Sequence, residues 1–172
     1  RDPRGASQRV GPGIEIIEGD ITRPETLGQA FEGVHDVIFT AGVRSGRFAR
    51  PSVVKATEYM GVLNTLAAAR DVGFQGRFVY MTAIGVTQFS LFAVALNLWK
   101  GNTLLWRRRA EDAIRSSGFD NTIVRAGFLL NRPPRQRDIS LTQDESPLTL
   151  TEAIARSDVA EALVEAVRHP RA

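Results

Sequence analysis

Cysteine is absent from this sequence, and histidine occurs only as His35 and His169. Without cysteine there are no disulfides, no thiolate nucleophiles and no thiolate metal ligands. Two histidines are too few for a structural zinc site, so we expect no metal. Tyrosine is scarce as well, since Tyr59 and Tyr80 are the only two. Few side chains are therefore available as phenolic proton donors.

Long hydrophobic runs are also lacking. The most apolar stretch, from Phe89 to Trp99, is interrupted by Ser90 and Asn97 and is shorter than the roughly 20 residues that span a bilayer. We therefore expect no integral membrane segment, and with no signal-peptide pattern at the start we expect a soluble cytoplasmic protein. The stretch itself could be a buried helix or lid, an apolar wall over a substrate pocket, or a surface for a protein partner.

Charge is close to balanced, with 22 basic and 19 acidic residues, and nearly all the basic residues are arginine. This balance does not favour nucleic acid as a partner. The 172 residues are 43% hydrophobic, which is enough for one domain with a sizeable core. We expect residues 1–172 to form a single domain.

Three segments, residues 36–42, 77–85 and 121–127, share one design. Residues 36–42 are a run of apolar, β-favouring residues that ends in small residues and a glycine, as in a strand buried on both faces. The other two likewise run from a β-favouring segment into small residues and a glycine. Thr40, Thr82 and Arg125, at equivalent positions in the three segments, lie 42 and 43 residues apart, which leaves room for a helix and allows the strands to be parallel. The sequence thus predicts a doubly wound parallel α/β sheet of the Rossmann-like type, whose carboxyl ends line one ligand crevice.

Further strands are predicted at residues 14–18 and 139–143. Thr22 and Glu25 have the spacing of a capping box ahead of a short helix. A longer helix begins at Pro51, where a stripe at helical spacing is expected to face the core: Ala56, Met60, Leu63 and Ala67. Asn102 and Ser157 are expected to cap two later helices. Tyr59 and Asn64 are interpreted as ordinary helix residues and Tyr80 as core, and at most one of residues 107–109, all arginine, can face inward.

Several motifs occur in an order that resembles the atypical short-chain dehydrogenase/reductases, most closely their NAD(P)H-binding, NmrA-like branch. In chain order they are Gly19-Asp20-Ile21-Thr22, Thr40-Ala41-Gly42, Thr82-Ala83-Ile84-Gly85, Arg109-Ala110-Glu111-Asp112, the block from Ser117 to Gly127, and Arg156-Ser157-Asp158-Val159-Ala160. Together they extend over nearly the whole chain, and the block from Ser117 to Gly127 is the most specific.

The resemblance implies a dinucleotide site. Asp20 is expected to contact the adenine, with Ile21 packed on its ring. Thr82 stands where many relatives have the catalytic serine, and Arg107 where they often have lysine. Arg1 would favour the 2′-phosphate of NADP, so that NAD is the less favoured cofactor. The remaining expected cofactor contacts lie at strand ends: Thr40, Ala41, Gly42, Ala126 and Gly127.

One departure leaves the function open between two classes. Active relatives pair a tyrosine with a lysine four residues later, whereas Thr103 and Arg107 occupy these places here. Threonine is a far poorer acid and arginine keeps its proton. The chain is therefore either an NADPH-dependent reductase of small aromatic or conjugated substrates that take a proton from solvent, or a non-catalytic module that binds NADP to regulate or scaffold.

The beginning of the sequence departs as well. The family's first strand and glycine-rich phosphate loop would precede Arg1, and relatives continue past the last predicted helix. We therefore expect the Rossmann-like fold of these 172 residues to be incomplete at both ends. Because pyrophosphate binds at that loop and the following helix N-terminus, weak dinucleotide binding is expected of these residues alone.

Overall fold

A three-stranded parallel sheet forms the centre of the protein. The computed structural model describes residues 5–6, 10–43, 49–87, 97, 102–135, 139–143 and 153–169. The strands are β1 (Val37–Phe39), β2 (Arg77–Ala83) and β3 (Asp120–Ala126), adjacent in that order. Phe39 is paired with Tyr80, and Thr82 with Arg125. The predicted parallel α/β sheet is confirmed, and its three carboxyl ends lie along one edge.

Helices cover both faces of this sheet. They are α1, made of Pro51–Lys55, a π-helical segment Ala56–Met60 and Gly61–Asp71, then α2 (Thr103–Arg115) and α3 (Arg156–Arg168). Phe78 and Tyr80 point to one face, where they pack against α1 and α2. Val79 points to the other face, against Val159 and Leu163 of α3. Alternation along β2 thus divides the core into two layers.

Two of the predicted strands are wrong. Residues 139–143 form no strand, and Leu141 is 78% exposed. Instead β4 (Phe128–Leu130) pairs in parallel with β5 (Ala153–Ala155). Residues 14–18 form no strand either, and Ile14 is 59% exposed. A strand forms only where a neighbouring strand supplies its hydrogen bonds. Among the described residues β1 pairs only with β2, so residues 14–18 add no strand beside β1.

The three predicted helix caps are wrong, and only α2 has another side chain in the place of its predicted cap. Thr22 does not cap a helix, because two short 3₁₀ helices follow, Pro24–Thr26 and Gly28–Phe31, neither with a side-chain cap. Asn102 adopts a left-handed φ of 64° and makes no cap bond. The Asn97 Oδ1 atom accepts the amides of Leu104 and Leu105 instead, at 2.9 and 3.4 Å. Helix α3 already begins at Arg156, so Ser157 lies inside it.

The predicted apolar stripe of α1 is also wrong. Met60 is 39% exposed, and the face turned inward consists of other residues: Val54, Glu58, Gly61, Val62, Thr65, Leu66, Ala68 and Ala69. The pattern was misread because a carboxylate and a hydroxyl lie on the buried face. Each is satisfied there: the Thr65 hydroxyl donates to the Gly61 carbonyl at 2.7 Å, and Glu58 is paired as described below.

Candidate functional site

The three strand ends bring most of the expected site residues to one edge. Thr40, Ala41 and Gly42 follow β1 directly and are exposed. Thr82 lies one residue before the end of β2, and Ala126 ends β3. The Ile84 amide donates to the Ala126 carbonyl at 3.0 Å, which ties the second and third strand ends together. Gly127 comes next, between β3 and β4.

Thr82 has an unusual environment for a hydroxyl. It is 2% exposed, and its Oγ1 atom has no hydrogen-bond partner among the residues that the structure describes. The Tyr80 hydroxyl lies on the same face of β2 and is a polar neighbour, but it does not meet Oγ1 with hydrogen-bond geometry. An unpartnered buried hydroxyl costs about 1–3 kcal/mol. Such a group at a crevice is often kept for a ligand or a reaction.

Tyr80 itself is confirmed as a core residue, being 1% exposed. Burial raises the pKa of Tyr80 well above its ordinary value, although the nearby Arg107 guanidinium opposes the shift. The phenol therefore stays protonated at neutral pH. It is packed between Phe39 and the helices rather than presented at the strand ends.

Arg107 is the one arginine of its run that turns inward, because Arg108 and Arg109 are exposed. Its Nε donates to Glu58 Oε2 at 2.9 Å, and its Nη2 donates to Glu58 Oε1 at 3.3 Å. The Glu58 side chain is 2% exposed and that of Arg107 22%. Burial alone would lower the pKa of Arg107, but the Glu58 carboxylate more than offsets this and raises it.

The turn after β1 lies directly on this pair. The Val43 amide donates to Glu58 Oε1 at 2.9 Å. A Cβ atom at Gly42 would be 3.3 Å from Glu58 Oε1 and 3.4 Å from Arg107 Nη2. Glycine therefore lets the backbone approach the two charged groups closely. The sequence placed Gly42 at the site but missed Glu58.

Asp20 and Ile21 are held against α1. Asp20 Oδ1 accepts hydrogen bonds from the Thr22 amide at 2.9 Å and from the Thr22 hydroxyl at 2.7 Å. The bond to the amide two residues on forms an Asx-type turn. A Cβ atom at Gly61 would lie 2.6 Å from Ile21 Cδ1, so Ile21 needs a glycine there. Asn64 Nδ2 donates to the Ile21 carbonyl at 2.8 Å. Asn64 thus has a satisfied structural partner, which agrees with its interpretation as an ordinary helix residue.

A second buried charge cluster lies beside Thr82. Glu111 of α2 is fully buried, and its Oε2 accepts Arg125 Nη2 at 2.8 Å and Arg115 Nη2 at 3.0 Å. Arg125 is the β3 residue paired with Thr82. Two ion pairs, Glu58–Arg107 and Glu111–Arg125, thus balance the positive charges of the two arginines with buried carboxylates.

Other expected site residues lie outside the described part of the chain. They are Arg1 and all of residues 89–99 except Asn97. No described group of three or more histidine and acidic residues could hold a metal ion. In the same described part, every helix is too short or too polar to cross a membrane. Glu58 and Gly61 were missed because nothing in the sequence pattern distinguishes them from solvent-facing or ordinary helix positions.

Comparisons with known proteins identify the family of this chain. A family model described as NAD(P)H-binding matches residues 1–170. Sanguinarine reductase of Eschscholzia californica is 31% identical over 94% of this chain and 70% of its own length. Further plant relatives described as chloroplastic are matched over 18% to 56% of their length.

Solved structures show the same fold. An anaerobillin reductase from Escherichia coli O157:H7 has a TM-score of 0.73 at 19% identity, over 98% of this chain and 74% of its own. A short-chain dehydrogenase/reductase from Veillonella parvula in complex with NADP has a TM-score of 0.66 at 21% identity, over 96% and 73%. The chain therefore belongs to the NAD(P)H-binding family, among the atypical short-chain dehydrogenase/reductases that its motifs resemble.

Proposed function

We propose that the protein is an NADPH-dependent oxidoreductase of small aromatic or conjugated substrates, of the NmrA-like branch. The observation that carries the proposal is the Thr82 hydroxyl, buried at the end of β2 without a partner among the described residues. Where relatives have a catalytic serine, this hydroxyl would touch substrate. Two similar proteins named as reductases, one for sanguinarine and one for anaerobillin, support reduction as the reaction class.

The residues present fit a dinucleotide. Thr40, Ala41 and Gly42 offer exposed backbone at the end of β1, where a Cβ atom at Gly42 would lie only 3.3 Å from Glu58 and 3.4 Å from Arg107. Asp20 would accept the adenine amino group, and Ile21 would pack on the ring. Ala126 and Gly127 would line the opposite side. Preference for NADP over NAD rests on Arg1, since a guanidinium binds a phosphate in a bidentate manner.

In the proposed reaction the protein binds the cofactor and orients the substrate. When bound, NADPH supplies the hydride. Thr82 would orient the acceptor by a hydrogen bond, and the strand-end backbone would hold the cofactor beside it. Tyr80 is sealed in the core, and Thr103 stands in place of the usual tyrosine. The proton would therefore come from solvent, which suits flavin-like or quinoid acceptors.

This proposal predicts that the intact protein binds NADPH at least tenfold more tightly than NADH. A guanidinium bonded to the 2′-phosphate contributes about 1.5–3 kcal/mol, which corresponds to a factor of ten or more. Fluorescence titration measures both dissociation constants, and absorbance at the nicotinamide band measures turnover with a panel of flavins and quinones. Equal affinity for the two cofactors would contradict the assigned role of Arg1.

A second candidate function is a non-catalytic module that binds NADP to regulate or scaffold. The observation in its favour is that Arg107 is committed to Glu58 and that Thr103 replaces the proton-donating tyrosine. The same assay separates the two candidates. Tight NADPH binding without oxidation by any acceptor supports the module, whereas oxidation that depends on an acceptor supports the enzyme.

Asp20 offers a separate prediction. Asp20→Ala should weaken NADPH binding and also destabilise the fold by about 1 kcal/mol, because the Asx turn loses its acceptor. Asp20→Asn keeps Oδ1 for Thr22 but replaces the other carboxylate oxygen by an amide donor, so it should weaken NADPH binding with little change in stability. Calorimetry and urea unfolding measure the two quantities. If Asp20→Asn binds NADPH normally, Asp20 acts in the fold alone.

Location and partners remain proposals. The cytoplasmic location predicted from the sequence is kept, although several relatives are described as chloroplastic. A protein partner on the stretch between Phe89 and Trp99 also stays a prediction, because nearly all of this stretch lies outside the described residues. The substrate is a small molecule of the class given above.

A further inference from the structure

We propose that Glu58 is a positioning residue, which holds the turn after β1 in place for the cofactor and uses Arg107 as its counter-ion. The inference rests on the proposed function, because the turn matters only if a cofactor lies along it. It also changes the expected role of Arg107. The guanidinium serves the crevice wall instead of replacing the lysine that relatives place near the cofactor.

The contacts of Glu58 reach three separate parts of the chain. Its own backbone belongs to α1, its Oε2 accepts Arg107 Nε of α2 at 2.9 Å, and its Oε1 accepts the Val43 amide at 2.9 Å. Both carboxylate oxygens are therefore used. Val43 lies 15 residues before Glu58 and Arg107 lies 49 residues after it, so one side chain joins two helices and the crevice turn.

The backbone of α1 is irregular where Glu58 lies. The π-helical segment Ala56–Met60 interrupts a helix that otherwise runs from Pro51 to Asp71. Such π-helical segments are rare in proteins, and those that occur are often at functional sites. Here the segment contains the buried Glu58 and is followed by Gly61, which contacts Ile21. The same short region of α1 therefore supports both the Gly42 turn and the Asp20–Ile21 segment.

Burial makes the arrangement rigid. Glu58 is 2% exposed, so its charge requires the Arg107 guanidinium, which is bound through two nitrogens. Hydrogen bonds between charged groups are shorter and stronger than neutral ones, and a two-point contact fixes their relative orientation. Gly42 lies directly on this ion pair. A side chain at position 42 would require Glu58 or Arg107 to shift. The Val43 amide bond and the close approach of Gly42 therefore both restrain the turn against this ion pair.

The test compares Glu58→Gln with Arg107→Lys in the intact protein, and uses Arg108→Gln as the control. Arg108 lies on the same helix but is exposed. The glutamine of Glu58→Gln keeps the size of the side chain but removes the ion pair. We expect both variants to raise KM and Kd for NADPH about tenfold while kcat changes less than twofold, and we expect the control to match the unaltered protein.

A second measurement needs no cofactor. The Val43 amide should exchange its hydrogen at least tenfold faster in Glu58→Gln than in the unaltered protein, at equal global stability after correction by urea unfolding. Unchanged exchange of Val43 would overturn the positioning role whatever the cofactor does. Accelerated exchange in a protein that binds no NADPH would instead leave the positioning role and overturn the proposed function. A normal Kd for both variants would also overturn the positioning role, because loss of the ion pair would then cost no cofactor binding. An Arg107→Lys variant with raised kcat would show instead that Arg107 acts on the cofactor directly.

Discussion

Replacing Thr82 by valine should lower the turnover of NADPH about a hundredfold, within the range usual for loss of one hydrogen-bond donor at the reacting centre. The same replacement should leave the free energy of unfolding unchanged or slightly increased. Valine has the shape of threonine, and the Thr82 hydroxyl has no partner to lose among the described residues. Removing an unsatisfied buried polar atom relieves its desolvation cost.

Thr65→Val is the matched control for this prediction. Thr65 is also a buried threonine, but its hydroxyl donates to the Gly61 carbonyl at 2.7 Å. Its replacement should cost about 1 kcal/mol of stability and leave kcat unchanged. Steady-state kinetics and urea unfolding of the two variants give opposite patterns. If Thr82→Val loses as much stability as Thr65→Val and keeps its turnover, the Thr82 hydroxyl belongs to the fold and not to the reaction.

The largest loss of stability is expected from Glu111→Leu, about 3–5 kcal/mol, because it leaves the largely buried Arg125 without its carboxylate. Arg125 is only 22% exposed and bonds Glu111 through two nitrogens, at 2.8 and 3.3 Å. Arg115, which also bonds Glu111, is 47% exposed and can turn to solvent. Urea unfolding, monitored by circular dichroism, measures the change.

Asp112→Leu provides the comparison on the same helix. Asp112 is 65% exposed and pairs with Arg115 at 3.4 Å, an arrangement worth less than about 1 kcal/mol. The double replacement Glu111→Leu with Arg125→Met should recover most of the stability lost in Glu111→Leu, since removing both buried charges is often neutral or favourable. A Glu111→Leu protein as stable as Asp112→Leu would mean that the buried cluster contributes nothing to the fold.

The sequence by itself determined the central sheet. Each of the three strands is a β-favouring segment that ends in small residues, and the apolar run through β1 is typical of a strand covered on both faces in a layered α/β fold. The spacing between the runs left room for helical crossovers, so the parallel order of β1, β2 and β3 followed. The small residues Thr40, Ala41 and Gly42 also indicated the carboxyl end of β1, because the change from β-favouring to small residues is a local feature of the sequence.

Only the tertiary structure decided which side of α1 faces inward. Hydrophobic periodicity predicted that Met60 faces the core, whereas in the structure Met60 is exposed and Glu58 is buried. A carboxylate is stable in the interior only when a cation reaches it, and here that cation is Arg107 on another helix, 49 residues away. No local pattern contains that information.

Strand formation outside the central sheet was decided in the same way. Residues 14–18 have the composition of a strand but form none, while β4 and β5 pair with each other across a sequence separation that no turn motif indicated. The cap of α2 comes from Asn97 instead of Asn102 for a similar reason. A ladder or a cap requires a donor and an acceptor to meet in space, and that meeting depends on how the rest of the chain is packed.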